Sequence, residues 1–324
     1  MLGLLTLDFP KLYGWQQAPE TFAKRDFYKL KESGITAFHP AVCYLGLTAY
    51  VESLRDLQRW RRLIAAQPSY FTLISGQADL AQAKASGKIG ILLGQQNSEH
   101  FRTIDDVDHF HALGQRVSLL CYGTNRLGGG CNDSHDPGLS EFGAQVIAHM
   151  NRVGMAIDVA HCGDRTTLDA FSVSRRPVLI THSNCRALVP ARTRCKTDEA
   201  IRKMAATGGV MGISMIRGFV SASGPSNVES VLDHIDRVVR LAGVEHVGVG
   251  SDVDLEGRSR LSPAMLRREH ILGNTDLDGL NYPKKVFDLT EGLVRRGYSD
   301  RDIALILGGN FQRALSQIWT RDLD

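Results

Sequence analysis

Two histidines and an aspartate stand where short apolar runs give way to polar residues. "MAIDVAH" ends at His161, "VLITHS" carries His182, and "VGVGSD" ends at Asp252. Runs of this length, closed by glycine or polar residues, read as buried strands. Neutral imidazoles with a carboxylate suit zinc or another borderline divalent ion, which activates water and polarises a carbonyl. A lone strand-end histidine is more often a packed residue than a ligand. Two on successive strands, with an aspartate on a later one, point to a site.

Other strand ends add Asp8, His39, Gln96 and Tyr122. His39 precedes Pro40 and has no evident partner, which leaves it structural or substrate-lining. Gln96 belongs to "GILLGQQNSEHF", where the amides Gln95, Gln96 and Asn97 follow a buried run, although amides neither ionise nor bind metals well. Cys162 directly follows His161; alternation along a strand turns the two side chains opposite ways, which argues against a cysteine ligand. His109, His111, His149 and His234 fall on expected helices and read as solvated or packed. The glycine-rich stretches "RLGGGCND" and "ATGGVMG" match neither GxGxxG after a strand nor a Walker pattern. No GxSxG elbow appears, and Ser183 beside His182 does not by itself make a serine triad.

The elements that must position these residues alternate regularly. Strands are expected at 2–7, 35–39, 89–93, 117–121, 155–159, 178–181, 209–214 and 246–250. Helices are expected at 21–33, 48–65, 77–86, 104–113, 140–153, 195–207 and 227–242, with Val231, Ile235, Val238 and Leu241 forming one apolar stripe. Strands alternating with helices argue for parallel pairing. Eight such units predict a closed (β/α)8 TIM barrel, with chemistry at the C-terminal strand ends. One domain over 1–324 is expected, with an insertion around 66–88 that holds "SYFTLISG", and C-terminal helices over 284–320 that pack outside or beneath the barrel.

Composition narrows the partners. Hydrophobic residues make up 43% and charged residues 23%, which is ordinary for a globular chain. With 38 basic against 35 acidic residues, the balance offers no case for nucleic acid or an acidic membrane surface. The clusters "RWRR" (59–62) and "SRR" (174–176) read as coats on helix faces. The opening "MLGLLTLDFP" lacks the marks of a signal peptide, no run reaches bilayer-spanning length, and six cysteines without CxxC spacing read as free thiols. The expectation is a soluble, cytoplasmic protein.

Taken with their flanks, these residues resemble the membrane (renal) dipeptidase family, peptidase family M19. The likeness rests on "LSEFGAQVIAHMNRVGMAIDVAH" (139–161), "PVLITHSNCRAL" (177–188), "LDHIDRVVRLAGVEHVGVGSDVD" (232–254) and "GYSDRDIALILGGNFQRAL" (297–315), in family order. It implies a barrel holding two zinc ions bridged by a glutamate, hydrolysis of dipeptides, and possible homodimers. By resemblance, His161 and His182 hold the second metal, Arg186 grips the substrate carboxylate and Asp252 accepts the proton.

The departures from the family pattern are as specific. The family opens with His-x-Asp on its first strand; here "TLD" keeps Asp8 and puts Thr6 in the histidine's place. The bridging glutamate falls at Gln96, and a substrate-side histidine becomes Tyr122. A neutral amide offers no charge compensation between two dications, so one zinc ion or a weakly occupied site is expected in place of two. The sequence thus predicts a dipeptidase-like hydrolase of a small, carboxylate-bearing substrate, its ion held by His161 and His182 and completed by Asp252, Gln96, Asp8 or water. Two alternatives stay open: the same fold diverted to lyase, isomerase or tailoring chemistry, and an inactive carboxylate binder.

Overall fold

A computed structural model describes residues 9–257 and 275–320. The expected first strand, with Thr6 and Asp8, lies outside the described residues. The strands form two parallel sheets, one of three strands and one of seven. β4 (Ile89–Ile91) lies between β1 (Ala37–Phe38) and β3 (Phe71–Leu73). Its continuation β5 (Gly94–Gln95) lies between β2 (Ala41–Val42) and β6 (Val117–Leu119). From there the order runs through β7 (Ala156–Asp158), β8 (Val178–Ser183), β9 (Met211–Ile213) and β10 (Val247–Val249). Every named pairing is parallel. "SYFTLISG" therefore supplies a strand beside Ile89–Ile91, within the segment expected to elaborate the barrel.

Strands β4 to β10 are buried along their whole length, which is why they read as unbroken apolar runs and not as alternating ones. The helices between them show the complementary one-sided pattern. In Val228–Ala242, Val231, Leu232, Ile235 and Val238 face inward, Asn227 caps the first turn, and Gly243 ends it at φ 97°. The helix Asp164–Val173 has no counterpart among the expected elements. Its short span and few apolar positions gave the helical period little to register.

A separate apolar cluster closes one end. Leu92, Val117, Ala156, Leu179 and Val210, within or next to successive strands, meet Phe311, Ala314, Leu315 and Ile318 of the helix Asn310–Trp319. Asn310 reinforces the seal by donating to the carbonyls of Val244 and Val247. That end is plugged, whereas His161 follows β7 and His182 lies near the end of β8, at the other end of the strands. Among the described residues no helix is long and apolar enough to cross a membrane.

One buried carboxyl beneath the mouth sets a pH dependence. Asp56, on the helix Ala49–Ala66, is 4% exposed and receives a 3.2 Å bond from Gln95 Nε2, whose Oε1 has no partner. Burial raises its pKa to about 7, only partly opposed by that bond and by Arg59. The folded state therefore holds a proton that the unfolded state releases near pH 4, so stability falls as pH rises from about 4 through about 7, by on the order of 4 kcal/mol. In Asp56→Asn the new amide can donate to Gln95 Oε1. Urea unfolding at pH 5 and pH 8 should show the variant gaining most at pH 8; an equal effect at both would contradict the assignment.

Candidate functional site

His161 and His182 come from the ends of neighbouring parallel strands, and their Nε2 atoms face each other at 2.9 Å. Both rings are buried, and burial, followed by the charge of Arg194, holds both pKa values well below the usual histidine range. At neutral pH the pair is uncharged, the state a metal ligand requires.

The sequence fixes the tautomer of one ring. Asp158, one pleat below the mouth on β7, accepts from the backbone of Ala160 at 2.9 Å and of Thr181 at 3.0 Å, and from the Thr181 hydroxyl at 2.5 Å. Having given its proton to Asp158, Thr181 Oγ1 accepts from His182 Nδ1 at 2.7 Å. His182 Nε2 then carries a lone pair toward His161, as a ligating imidazole must. His161 is less prepared, because its Nδ1 is buried without a partner. Two nitrogens on one tetrahedral zinc lie about 3.3 Å apart given zinc–nitrogen distances near 2 Å. The pair thus fits one shared ion after a small opening.

The remaining expected residues divide clearly. Asp252 is the one non-glycine residue at positive φ (57°) among the described residues, a conformation that clusters at functional sites. Its carboxylate lies near enough to help raise the Tyr122 pKa, after burial. Tyr122 stacks on His161, with centroids 4.2 Å apart and planes at 24°. Gln96 is half-buried, and its Nε2 donates to Ala41 O at 3.0 Å, which leaves Oε1, an acceptor, as the atom it could turn to a metal or substrate. Among the described residues no three His, Cys, Asp or Glu side chains are grouped to hold a metal. Asp8, the further carboxylate expected here, lies outside those residues. His39 packs instead of binding. Its Nδ1 donates to Leu92 O at 2.9 Å, burial lowers its pKa to about 4, and a Cβ at Gly94 would come within 2.1 Å of its ring. The glycine in "LLGQQN" is thus the space this imidazole fills. Cys162 turns toward the Cys121 carbonyl, in keeping with strand alternation.

Arg186, the arginine to which the resemblance gives the substrate carboxylate, has its guanidinium paired with Asp164, at 2.5 and 2.7 Å. The arginine at the histidine pair is Arg194, 4% exposed, which donates to Ala160 O at 2.6 Å and His182 O at 2.8 Å and has no partner for Nε. Lys196 is buried alongside and donates to Cys162 O and Thr167 Oγ1. Sequence reasoning passed over both: Arg194 lies between the expected elements, and Lys196 fell inside the helix expected at 195–207, which begins only at Asp198. The run "ARTRCK" before the helix Asp198–Ala206 held the clue.

The amides after β5 also find their use. Asn97, 2% exposed, donates to Tyr44 O at 2.9 Å and Glu99 Oε2 at 3.0 Å, and its Oδ1 accepts from Asn125 Nδ2 at 2.9 Å and Tyr122 N at 3.4 Å. It ties together the segments that follow β2, β5 and β6, and so helps to hold Tyr122 over His161.

Fold and mouth together define a barrel of the amidohydrolase type. The family model of the membrane dipeptidases, peptidase family M19, matches residues 13–265, and the chain belongs to that family. It is 31% identical over 237 residues to dipeptidase verJ of Clonostachys rogersoniana, a match covering 72% of this chain and 56% of that protein. It is 28% identical over 304 residues to dipeptidase ataJ of Aspergillus terreus, covering 83% and 68%. Among solved structures, an amidohydrolase from Pseudomonas aeruginosa superposes with TM-score 0.83 at 27% identity, covering 92% of this chain and 94% of that one. A metallopeptidase from Rhodobacter sphaeroides, liganded with a phosphinate mimic of L-Ala-D-Ala, shares the fold with TM-score 0.77 at 20% identity, covering 98% and 99%.

Proposed function

We propose that the chain is a dipeptidase-like amidohydrolase that cleaves an amide in a small substrate bearing a free carboxylate, with one metal ion held by His161 and His182. The observation that carries this reading is the facing pair of Nε2 atoms, one with its tautomer set by the Asp158–Thr181 relay. Zinc bound there would supply Lewis-acid polarisation and an activated water. Asp252 takes the proton of the attacking water and returns it to the leaving nitrogen. The Tyr122 phenol, its pKa raised by burial, stays protonated and donates a hydrogen bond to the substrate. Arg194 attracts the carboxylate and orients the substrate. The bridging and first-strand positions, Gln96 and Thr6, support a single ion over two.

Chelator competition and elemental analysis of zinc-loaded protein test the site. One zinc per chain is expected, lost in His161→Ala and in His182→Ala. Thr181→Val keeps the shape and removes the relay, so zinc affinity should fall about 10–100-fold. A dipeptide screen with added zinc, manganese or cobalt tests the reaction. Protein that takes up no zinc yet is stabilised by a dipeptide would replace this reading with that of a carboxylate binder.

A further inference from the structure

We propose that Arg186 and Asp164 form a clamp that presents Arg194 to the mouth, which makes Arg186 a positioning residue for substrate binding. The inference rests on the reading of the site as one for a carboxylate-bearing dipeptide.

The chain after β8 makes a full loop and returns alongside itself in the same direction. Arg186 N donates to Lys196 O and Lys196 N to Asn184 O, both at 2.8 Å, so the start and end of the 184–196 loop run side by side. The Arg186 side chain then spans the loop. Its Nε donates to Cys195 O at 2.9 Å and its Nη2 to Thr193 O at 2.7 Å. These are the two carbonyls that flank Arg194. The Asp164 carboxylate, in the first turn of the helix Asp164–Val173, takes two more donors of the same guanidinium. Four of five N–H groups are thereby committed in a planar fork, a pattern the point charge of a lysine cannot reproduce.

The backbone held by this fork sends Arg194 inward. There it reaches the carbonyl of Ala160, the residue before His161, and the carbonyl of His182 itself. Ser183 Oγ adds a bond to Arg194 O at 3.0 Å. The buried cation beside the histidines is therefore placed by a partly exposed ion pair outside them. Arg186 and Asp164 keep 21% and 46% side-chain exposure.

The test compares Arg186→Ala, Arg186→Lys and Asp164→Asn in the full zinc-loaded chain. A dipeptide that the wild type hydrolyses is assayed beside its C-terminal carboxamide. With the clamp, Arg186→Ala raises KM for the free-carboxylate dipeptide by about tenfold, the loss of a charge-assisted bond, and leaves the carboxamide within about twofold. Asp164→Asn shifts KM the same way by less. A double variant adds little to Arg186→Ala, because the pair acts as one unit. Direct substrate contact by Arg186 predicts the opposite for Asp164→Asn: the arginine is released and KM falls. That result, or equal losses on both substrates, overturns the proposal.

Hydrogen exchange gives a readout independent of turnover. Exchange at the Lys196 amide should quicken in Arg186→Ala and stay unchanged in Arg194→Ala. If the wild type cleaves no dipeptide, the functional reading fails while exchange still decides the clamp; unaltered exchange in Arg186→Ala refutes it.

Discussion

Asp252→Asn should lower kcat/KM for any dipeptide substrate by about 10²- to 10⁴-fold, the usual loss when a general acid–base group is removed. Zinc content and melting temperature should stay close to wild type. The choice of asparagine follows from the backbone: at φ 57° asparagine is among the best-tolerated residues, whereas alanine would be strained. Asp252→Ala is therefore expected to lose stability as well as activity, and the pair of variants separates chemistry from folding. Full activity in Asp252→Asn would remove this residue from the mechanism and move the proton to another group.

The second large effect concerns the missing half of the metal centre. Thr6→His together with Gln96→Glu should raise bound zinc from one to two ions per chain in equilibrium dialysis. The structure adds a detail to this expectation. Gln96 now spends its nitrogen on the Ala41 carbonyl, and a glutamate there would set a carboxylate against that oxygen. Gln96→Glu alone should thus be destabilised without metal, and the double variant should gain more in melting temperature from added zinc than the wild type does. A double variant that still binds one ion would show that the divergence reaches beyond these two positions.

How much of this was legible beforehand depends on where each residue lies. His161, His182 and Asp252 close apolar runs that become β7, β8 and β10, so the strand rhythm exposed them. Asp158 and Thr181 lie on the same strands, but nothing in the order of residues says that the two join in a relay to His182. That contact needs the register Asp158↔Leu179, which only pairing supplies. Arg194 was out of reach for another reason. Its place depends on how the 184–196 loop folds over, and the nearer arginine, Arg186, drew the role that the resemblance offered. The buried Asp56–Gln95 pair brings together residues 39 positions apart, across a helix and a strand end. No local pattern marks it.

The four-bond amide of Asn97 bears on how this protein could be rebuilt. Because one side chain ties the segments that follow β2, β5 and β6, those segments form a single mechanical part. Grafting one of them from a relative with another substrate range would strip the amide of partners and unseat Tyr122. Exchange of substrate range by recombination should therefore succeed only when residues 43–48, 96–99 and 121–127 travel together.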